Sequence, residues 1–255
     1  GSGRAGSRAT PAFFAEKGLK TVPGTGILSV SVPGAVQSWE EALKRFGTTT
    51  LKQALQPAIG YAEHGFPVST RLSMDIAGEA KKVAADSSLA RIFLVNGKAP
   101  APGTILVQRD LAATLRTIAT GGANAFYRGP IAAKIAAFMD KEGGLVTARD
   151  LANHRATWTE PISTTYLGKT ILAFPPNTQG ATFLEMLNLA ELQDLTAMGR
   201  TSADYVHTLV EGAKLAYADR DAYIADPDFA KVPLDRLLSK EYARELGRRI
   251  RRDSI

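Results

Sequence analysis

The chain contains no cysteine among its 255 residues, which excludes disulfide bonds, thiol catalysis and metal sites with cysteine ligands. Long apolar runs are also missing, and none approaches the ~20 consecutive residues that a helix needs to span a bilayer. Aromatic residues make up 7% of the chain, whereas 45% of the residues are hydrophobic and 22% are charged. This balance is typical of a folded globular protein rather than a disordered one.

Histidine is scarce, and the three that occur, His64, His154 and His207, lie far apart in the sequence. His207 and Glu211 have the i, i+4 spacing of two metal ligands on a helix, but no second histidine accompanies them. The chain also has no glycine-rich phosphate loop and no GxSxG nucleophile elbow. The sequence therefore predicts neither a metal nor a cofactor, and the His207–Glu211 pair is interpreted as packed or solvated.

The net charge is +6, and much of it lies in the run RELGRRIRRD near the C-terminal end. No aromatic residues interleave with these arginines, so the run is interpreted as a solvated helix end, and no nucleic-acid partner is expected. The chain does not open with methionine, which leaves its compartment open. It would be periplasmic or secreted if a signal peptide precedes it, and otherwise cytoplasmic.

Turn and helix signals predict a mainly helical chain with a few strands. We expect a strand over 27–36 that enters a Pro-Gly turn, then a helix with Ser38 as its N-cap and its end at Gly47. Residues 157–175 predict two strands about a YLGK turn, because threonine and isoleucine alternate there. Further helices are predicted over 51–65 (with a break at its proline), 69–86, 103–122, 130–144 and the stretch ATFLEMLNLAELQDL.

The last long helix is expected to begin at Ser202 and to bury one apolar stripe. The stripe comprises Val206, Leu209, Val210, Ala213 and Tyr217. Beyond it, ADRDAYIADPDF leads into a turn, where aspartates can accept hydrogen bonds from free backbone amides. Four charged residues of this stretch are predicted to be structural and not catalytic, namely Asp219, Arg220, Asp226 and Asp228. We expect Tyr217 and Tyr223 to bury their rings and keep their hydroxyl groups hydrogen-bonded.

Several motifs, in order, resemble the large subunit of γ-glutamyltranspeptidases. They include SVPGAVQSWEEALKRFG, FYRG, GGLVTARDL and AYADRDAYIADPDF, and the resemblance runs from about Gly24 to about Leu246. It implies an α+β chain that is helix-rich with a few strands. Such a chain would be the large-subunit portion of an N-terminal-nucleophile hydrolase with an αββα fold. We expect a single domain over 1–255, with a loose N-terminal segment (1–23) and the start of a flexible tail (247–255).

The resemblance also implies a zymogen that cleaves itself to place a threonine at the start of a small subunit. That threonine would attack an amide, with its own α-amino group as the base, and water or an amine would resolve the acyl-enzyme. The catalytic residue is therefore not expected in this chain, whose Thr48–Thr50 cluster merely precedes a helix. Alone the chain should be inert, and its expected partners are the small subunit from the same precursor and a small-molecule amide substrate.

The start of the chain departs from the family's substrate-binding pattern. Where an Arg-Glu pair would hold the substrate carboxylate, this chain has Ser2 and Gly3, and Arg4 and Arg8 lie close by. Arg4 or Arg8 is predicted to bind the carboxylate. The GSGRA start is similar to the amidohydrolase-like branch. The substrate is therefore either a γ-glutamyl (glutathione-type) or related acidic amide, or that of a cephalosporin/glutaryl acylase or an oxamate-type amidohydrolase. A non-catalytic binding or scaffold module of the same fold is the third alternative.

Overall fold

The computed structural model describes residues 3–251, which fall into two compact units. The first unit is Gly3–Ala156, and the second comprises the described residues from Thr157 onward. Helices predominate in both units, as expected for an α+β chain. The single domain over 1–255 stays a prediction. The expectations for Ser2 and for the tail after 251 lie outside the described residues.

The first unit is built from helices and one pair of very short antiparallel strands, β1 and β2. A 3-10 turn at Ile27–Ser29 lies between its first two α-helices. Its elements are α1 (Pro11–Glu16), α2 (Ala35–Phe46), α3 (Leu51–Ala54), α4 (Gln56–His64), β1 (Phe66–Pro67), α5 (Thr70–Gly78), α6 (Ala80–Ala85), α7 (Ser87–Phe93), β2 (Ile105–Leu106), α8 (Arg109–Tyr127), α9 (Pro130–Glu142) and α10 (Ala148–Asn153). Two apolar clusters form its core, one around Ile118 and Tyr127 and the other around Val146 and Leu151.

Several local predictions for this unit are confirmed. Helix α9 begins at Pro130 and ends before Gly143, which adopts the left-handed conformation (φ 73°). The predicted helix over 51–65 is interrupted at Leu55, just before the proline of α4. Two other helices differ from prediction. Residues 69–86 are broken at Glu79, and α8 starts later, is kinked at Gly122 (φ 61°), where the predicted helix ends, and continues to Tyr127.

The strand predicted over 27–36 is wrong. Its first residues form the 3-10 turn, and a single β-bridge joins Val32 to Arg4. Helix α2 already starts at Ala35, so Ser38 lies in its first turn and donates to the carbonyl oxygen of Gly34 (3.2 Å) rather than capping the helix. The alternation of β-branched residues was too short to form a strand without a neighbouring partner strand. The predicted end at Gly47 is confirmed.

The second unit opens with a hairpin, as predicted. Its elements are β3 (Ile162–Tyr166), β4 (Lys169–Ala173), α11 (Gly180–Glu191), α12 (Leu195–Met198), α13 (Ala203–Tyr223), α14 (Leu234–Leu237) and α15 (Lys240–Gly247). Leu167 (φ 48°) and Gly168 (φ 74°) form the two-residue turn, whose positive φ angles suit the twist of the strands. Helix α11 packs on one face of the hairpin, where the buried hydroxyl of Thr164 donates to Asn188 Oδ1 (2.6 Å).

The long helix α13 is capped by Ser202 as predicted, but the predicted buried stripe is wrong. Val206 and Val210 remain 54% and 50% exposed, and Tyr217 and Tyr223 are also exposed. The face that packs against α11 consists instead of Thr208, Glu211, Gly212 and Ala216. Small residues on this face let the two helix backbones approach closely, which outweighs the greater hydrophobicity of the opposite stripe.

Candidate functional site

The N-terminal arm, residues 4–8, carries both arginines predicted to bind substrate. The Arg4 carbonyl oxygen accepts from Val32 N (2.8 Å), so the arm is joined to the segment before α2. Gly6 is buried against the 145–146 backbone, where a Cβ atom would lie 2.2 Å from Leu145 O. These contacts hold the arm in place, and the loose segment over 1–23 as a whole stays a prediction.

Asp150 holds the arm from the start of α10. Its Oδ2 atom accepts from Ser7 N (3.1 Å) and Ser7 Oγ (3.1 Å), and from Thr147 N (2.8 Å) and Thr147 Oγ1 (2.8 Å). Burial alone would raise the pKa of Asp150, but these hydrogen bonds to the ionised form outweigh it and hold the pKa below its ordinary value. Asp150 therefore remains an anion that completes the capping box of α10 with the N-cap Thr147 and fixes the arm.

The two arginines of the arm differ in their surroundings. Arg8 Nη1 forms an ion pair with Asp140 Oδ1 (2.7 Å), and both side chains are largely exposed. The Arg4 side chain is exposed, and its charge acts on His154, whose ring stacks on Tyr127 with centroids 4.9 Å apart. Burial lowers the pKa of His154, and the charges of Arg155 and Arg4 lower it further. Arg8 has Asp140 as a carboxylate partner, and Arg4 is a candidate for a substrate carboxylate because the bond from Val32 N to its carbonyl oxygen fixes its backbone.

The second unit contains a group that we call the acid cluster, formed by Glu185, Asp219 and Tyr242. They belong to α11, α13 and α15, and the Tyr242 hydroxyl donates to Asp219 Oδ2 (2.6 Å). Glu185 is 2% exposed, and the group that acts on its carboxyl is the carboxyl of Asp219. Burial, then the hydrogen bond and the charge of Asp219, raise the pKa of Glu185 to about 9. Burial and Asp219 also raise the pKa of Tyr242.

The other charged residues of the ADRDAYIADPDF stretch lie near the end of α13. Arg220 donates to Asp221 Oδ1 from Nε (2.8 Å) and Nη2 (2.7 Å), and its guanidinium lies over the Tyr217 ring. Asp226 Oδ1 accepts from Asp228 N (2.9 Å), an Asx-type turn in which the side chain of Asp226 is the acceptor. A structural role for the four predicted residues stays a prediction.

Sequence reasoning found Asp219 but missed Glu185. A single acidic residue inside the apolar run ATFLEMLNLA was the available signal, because an acid at a core position needs a partner. The partner comes from α13 and cannot be read from the helix that carries Glu185.

His207 and Glu211, the pair with metal-ligand spacing, lie in the first half of α13 and each has a hydrogen-bond partner from the protein. His207 Nε2 lies 2.6 Å from Arg251 O, and Glu211 Oε1 accepts from Lys214 Nζ (2.7 Å). Within residues 3–251, the side chains form no cluster of three or more possible metal ligands. Over the same residues, every helix is too short or too polar to cross a bilayer.

This chain is similar in sequence and in structure to known proteins. Residues 1–255 match the family described as γ-glutamyltranspeptidase. The glutathione hydrolase-like YwrD proenzyme of Bacillus subtilis is 41% identical over 251 residues, which are 98% of this chain and 47% of that protein. The chain thus spans about half the length of the curated relatives it matches.

Two solved structures share the fold. A γ-glutamyltranspeptidase from Helicobacter pylori superposes with a TM-score of 0.92 at 34% identity, covering 99% of this chain and 74% of that one. A cephalosporin acylase from Bacillus halodurans superposes with a TM-score of 0.91 at 37% identity, covering 98% and 48%. The predicted fold, part of an N-terminal-nucleophile hydrolase of the α+β class, is confirmed by these structures. The match over the full length and the shared fold show that this chain belongs to the γ-glutamyltranspeptidase family.

Proposed function

We propose that this chain is the large-subunit portion of a threonine-dependent amide hydrolase or acyltransferase, and that it is inactive without the remainder of its precursor. The observation that carries the proposal is that 98% of the chain matches only 47% of a relative described as a proenzyme. A nucleophilic threonine on the partner subunit would attack the amide, with its α-amino group as base. The whole protein would then cleave γ-glutamyl (glutathione-type) or related acidic amides.

The hairpin of the second unit supports a partner subunit. Helix α11 packs against one face of the β3–β4 hairpin. Leu172 on β4 is 63% exposed, and Phe174, the first residue after β4, is 75% exposed. Apolar side chains on an uncovered strand face favour association with another layer. The small subunit of the same precursor is the proposed occupant.

The contribution of this chain to substrate binding is assigned to Arg4. A guanidinium can bind a carboxylate through two parallel hydrogen bonds, which fixes the orientation of the acyl group as well as its charge. The arm is held at Arg4 O, Gly6 and Ser7, so the guanidinium starts from a fixed backbone. A fixed backbone lowers the entropy lost when the substrate binds.

A test of the proposal compares the chain alone with the natural protein that contains it. We expect the chain alone to release no product from a γ-glutamyl anilide above the buffer rate, and the natural protein to turn it over after cleavage into two subunits. Intact mass locates the cleavage and identifies the new N-terminal residue. Turnover by the chain alone that scales with its concentration and survives repurification contradicts the assignment of the nucleophile.

A second candidate substrate is a glutaryl-type amide, as expected of an acylase. The observation that favours it is the composition of the arm, since residues 3–8 read GRAGSR and contain no acidic side chain. A γ-glutamyl group carries an α-ammonium as well as a carboxylate, whereas a glutaryl group carries the carboxylate only. An arm with arginine and no acid matches the second charge pattern better. Comparing kcat/KM for γ-glutamyl and glutaryl anilides of the same leaving group decides between the two.

A further inference from the structure

Two buried acidic side chains of the second unit have opposite surroundings. Glu211 accepts from the ammonium of Lys214 (2.7 Å), and this bond holds the pKa of Glu211 below its ordinary value. Glu185 is more deeply buried, and the group it meets is another carboxyl, that of Asp219. Asp219 itself is only half-buried, but a second anion at the buried Glu185 beside it is strongly unfavourable, so this arrangement needs a proton.

The hydrogen bonds indicate where the proton lies. Two ionised carboxylates are both acceptors and cannot bond to each other, whereas a protonated carboxyl can donate to an ionised one. Asp219 already accepts from the Tyr242 hydroxyl (2.6 Å), so it serves as an acceptor in this cluster and Glu185 is the acid left to donate. Within residues 3–251, Glu185 Oε1 is buried and has no hydrogen-bond partner. An unpaired oxygen is far less costly on a neutral acid than on a buried anion.

We propose that Glu185 and Asp219 hold one proton between them at neutral pH, with Glu185 as the donor, and that this proton joins α11 to α13 and α15. Asp219 is then the common acceptor for a carboxyl on α11 and a phenol on α15. Loss of the proton in alkaline solution places two anions side by side and loosens the packing of these three helices. The second unit is thereby sensitive to alkaline pH through one buried site.

The elements packed against α11 carry other titratable side chains besides Asp219. They are Arg220 and Asp221 on the last turns of α13, Asp235 and Arg236 on α14, Lys240, Glu241, Tyr242, Arg244 and Glu245 on α15, Tyr166 on β3 and Lys169 on β4. Arg236 lies over the Tyr242 ring, 4.6 Å from its centroid, and lowers the pKa of that phenol. Lys240 Nζ is bound to Glu191 Oε2 (2.5 Å) and Asn188 Oδ1 (2.7 Å). Asp219 is the neighbour that acts on the Glu185 carboxyl itself.

The pH dependence follows from the direction of the shift. Burial and Asp219 raise the pKa of Glu185 to about 9, while the unfolded chain loses this proton in the ordinary glutamate range. The stabilisation is therefore complete below the ordinary glutamate pKa, and it is lost as the pH rises through the folded value. Between the two values, a folded state that holds one more proton loses roughly tenfold in its folding constant per pH unit.

The direct test observes the neutral carboxyl in the natural protein that carries this chain. A protonated carboxylic acid has its own carbonyl band in the infrared spectrum, separate from that of a carboxylate. We expect a difference spectrum between the wild type and Glu185→Gln to show this band at neutral pH, and the band to disappear in alkaline solution. Glutamine has nearly the same shape and donates to Asp219 without a titrating proton, so this variant should fold.

Two further variants complete the design. Asp219→Asn offers an amide donor to Glu185 and a carbonyl acceptor to Tyr242, so Glu185 no longer needs its proton and should ionise at lower pH. Glu211→Gln is the matched control, because Glu211 is buried but already ionised beside Lys214, and it should leave the band unchanged.

The outcomes either support or overturn the proposal. A band that is lost in Glu185→Gln, kept in Glu211→Gln and titrated at lower pH in Asp219→Asn supports it. A neutral-pH difference spectrum without the band overturns it. A stability difference between the wild type and Glu185→Gln that does not vary from mildly acidic to alkaline pH also overturns it.

Discussion

Asp150 in the first unit and Glu185 in the second are carboxyl side chains whose pKa values shift in opposite directions. Burial raises the pKa in both places and is the largest single contribution in each. At Asp150, donors from Ser7 and Thr147 converge on one oxygen and reverse the effect. At Glu185 the neighbour is Asp219, which adds to the effect of burial.

The difference shows that burial does not decide the protonation state of an acid by itself. The hydrogen-bonding partners decide it, because donors stabilise the anion and a second carboxylate stabilises the neutral acid. The same chemical group is therefore an anionic anchor for a backbone segment at Asp150, and a neutral donor between helices at Glu185.

The largest expected effect comes from removing the acceptor of the acid cluster. Asp219→Ala leaves the Tyr242 hydroxyl and the Glu185 carboxyl without their shared partner. Since each of these two polar groups costs roughly 1–3 kcal/mol when it is left unpaired, the free energy of unfolding should fall by about 2–6 kcal/mol. Denaturant unfolding measures the change, and Asp219→Asn, which keeps an acceptor, is the milder control. An equal loss in both variants would show that the charge of Asp219 matters more than its role as acceptor.

The next largest effect concerns the arm that Asp150 holds. Arg4→Ala should lower kcat/KM for an acidic amide substrate by roughly 10- to 150-fold, the equivalent of about 1.5–3 kcal/mol for a hydrogen bond to a charged group. The same change should have little effect on an amide whose acyl group lacks the carboxylate. Arg8→Ala serves as the matched control, because Arg8 is paired with Asp140. A larger loss of kcat/KM in Arg8→Ala than in Arg4→Ala would show that Arg8, and not Arg4, binds the substrate carboxylate.

Substitution of Asp150 tests whether this carboxylate stabilises the first unit as an anion. Asp150→Ala should lower the free energy of unfolding by about 1–2 kcal/mol, since it deletes the carboxylate half of the capping box of α10 and releases the arm. The pKa of Asp150 is depressed in the folded state, so its contribution is present above the ordinary aspartate pKa and is lost as the pH falls through the folded value.

The difference between wild type and Asp150→Ala should therefore shrink in acid, whereas the Glu185 contribution falls as the pH rises from the ordinary glutamate range to about 9. Ser7→Ala is the control for the arm alone, because it removes one donor and leaves the Thr147 cap in place. A difference that stays constant as the pH falls would mean that the hydrogen bonds to Asp150 do not depend on its charge.

The smallest effect is expected at the turn after α13. Asp226→Ala removes the acceptor for Asp228 N, a single hydrogen bond worth about 0.5–1.5 kcal/mol. Turnover per active site should stay near normal if the stretch is structural. Thermal unfolding and active-site titration of the variant measure the two quantities. An unchanged midpoint with strongly reduced turnover would assign the stretch to the reaction instead.

The sequence predicted those features whose causes lie within a few residues. Ser202 caps α13, Pro130 and Gly143 bound α9, and the YLGK turn closes the β3–β4 hairpin. Each rests on a local backbone requirement that a particular residue type satisfies. The ordered motifs also predicted the family, because they span nearly the whole chain.

Other features depend on which element packs against which, and these were wrong or missed. The buried face of α13 was assigned to Val206 and Val210, because hydrophobicity alone ranks them above Gly212 and Ala216. The tertiary structure places α11 against the smaller residues, where the backbones can come close. Likewise, residues 27–36 have β-forming side chains but only a single bridge to Arg4, so no strand forms.

The sequence alone determined the helix ends, the hairpin turn and the family, since these depend on local chemistry and on ordered motifs. Tertiary structure alone decided that Ser7 meets Asp150 and that Glu185 meets Asp219. A carboxyl group's protonation state depends on the groups within hydrogen-bonding distance, and here those groups come from distant parts of the chain. The sequence therefore states which acids are present, and only the fold decides which of them carries a proton.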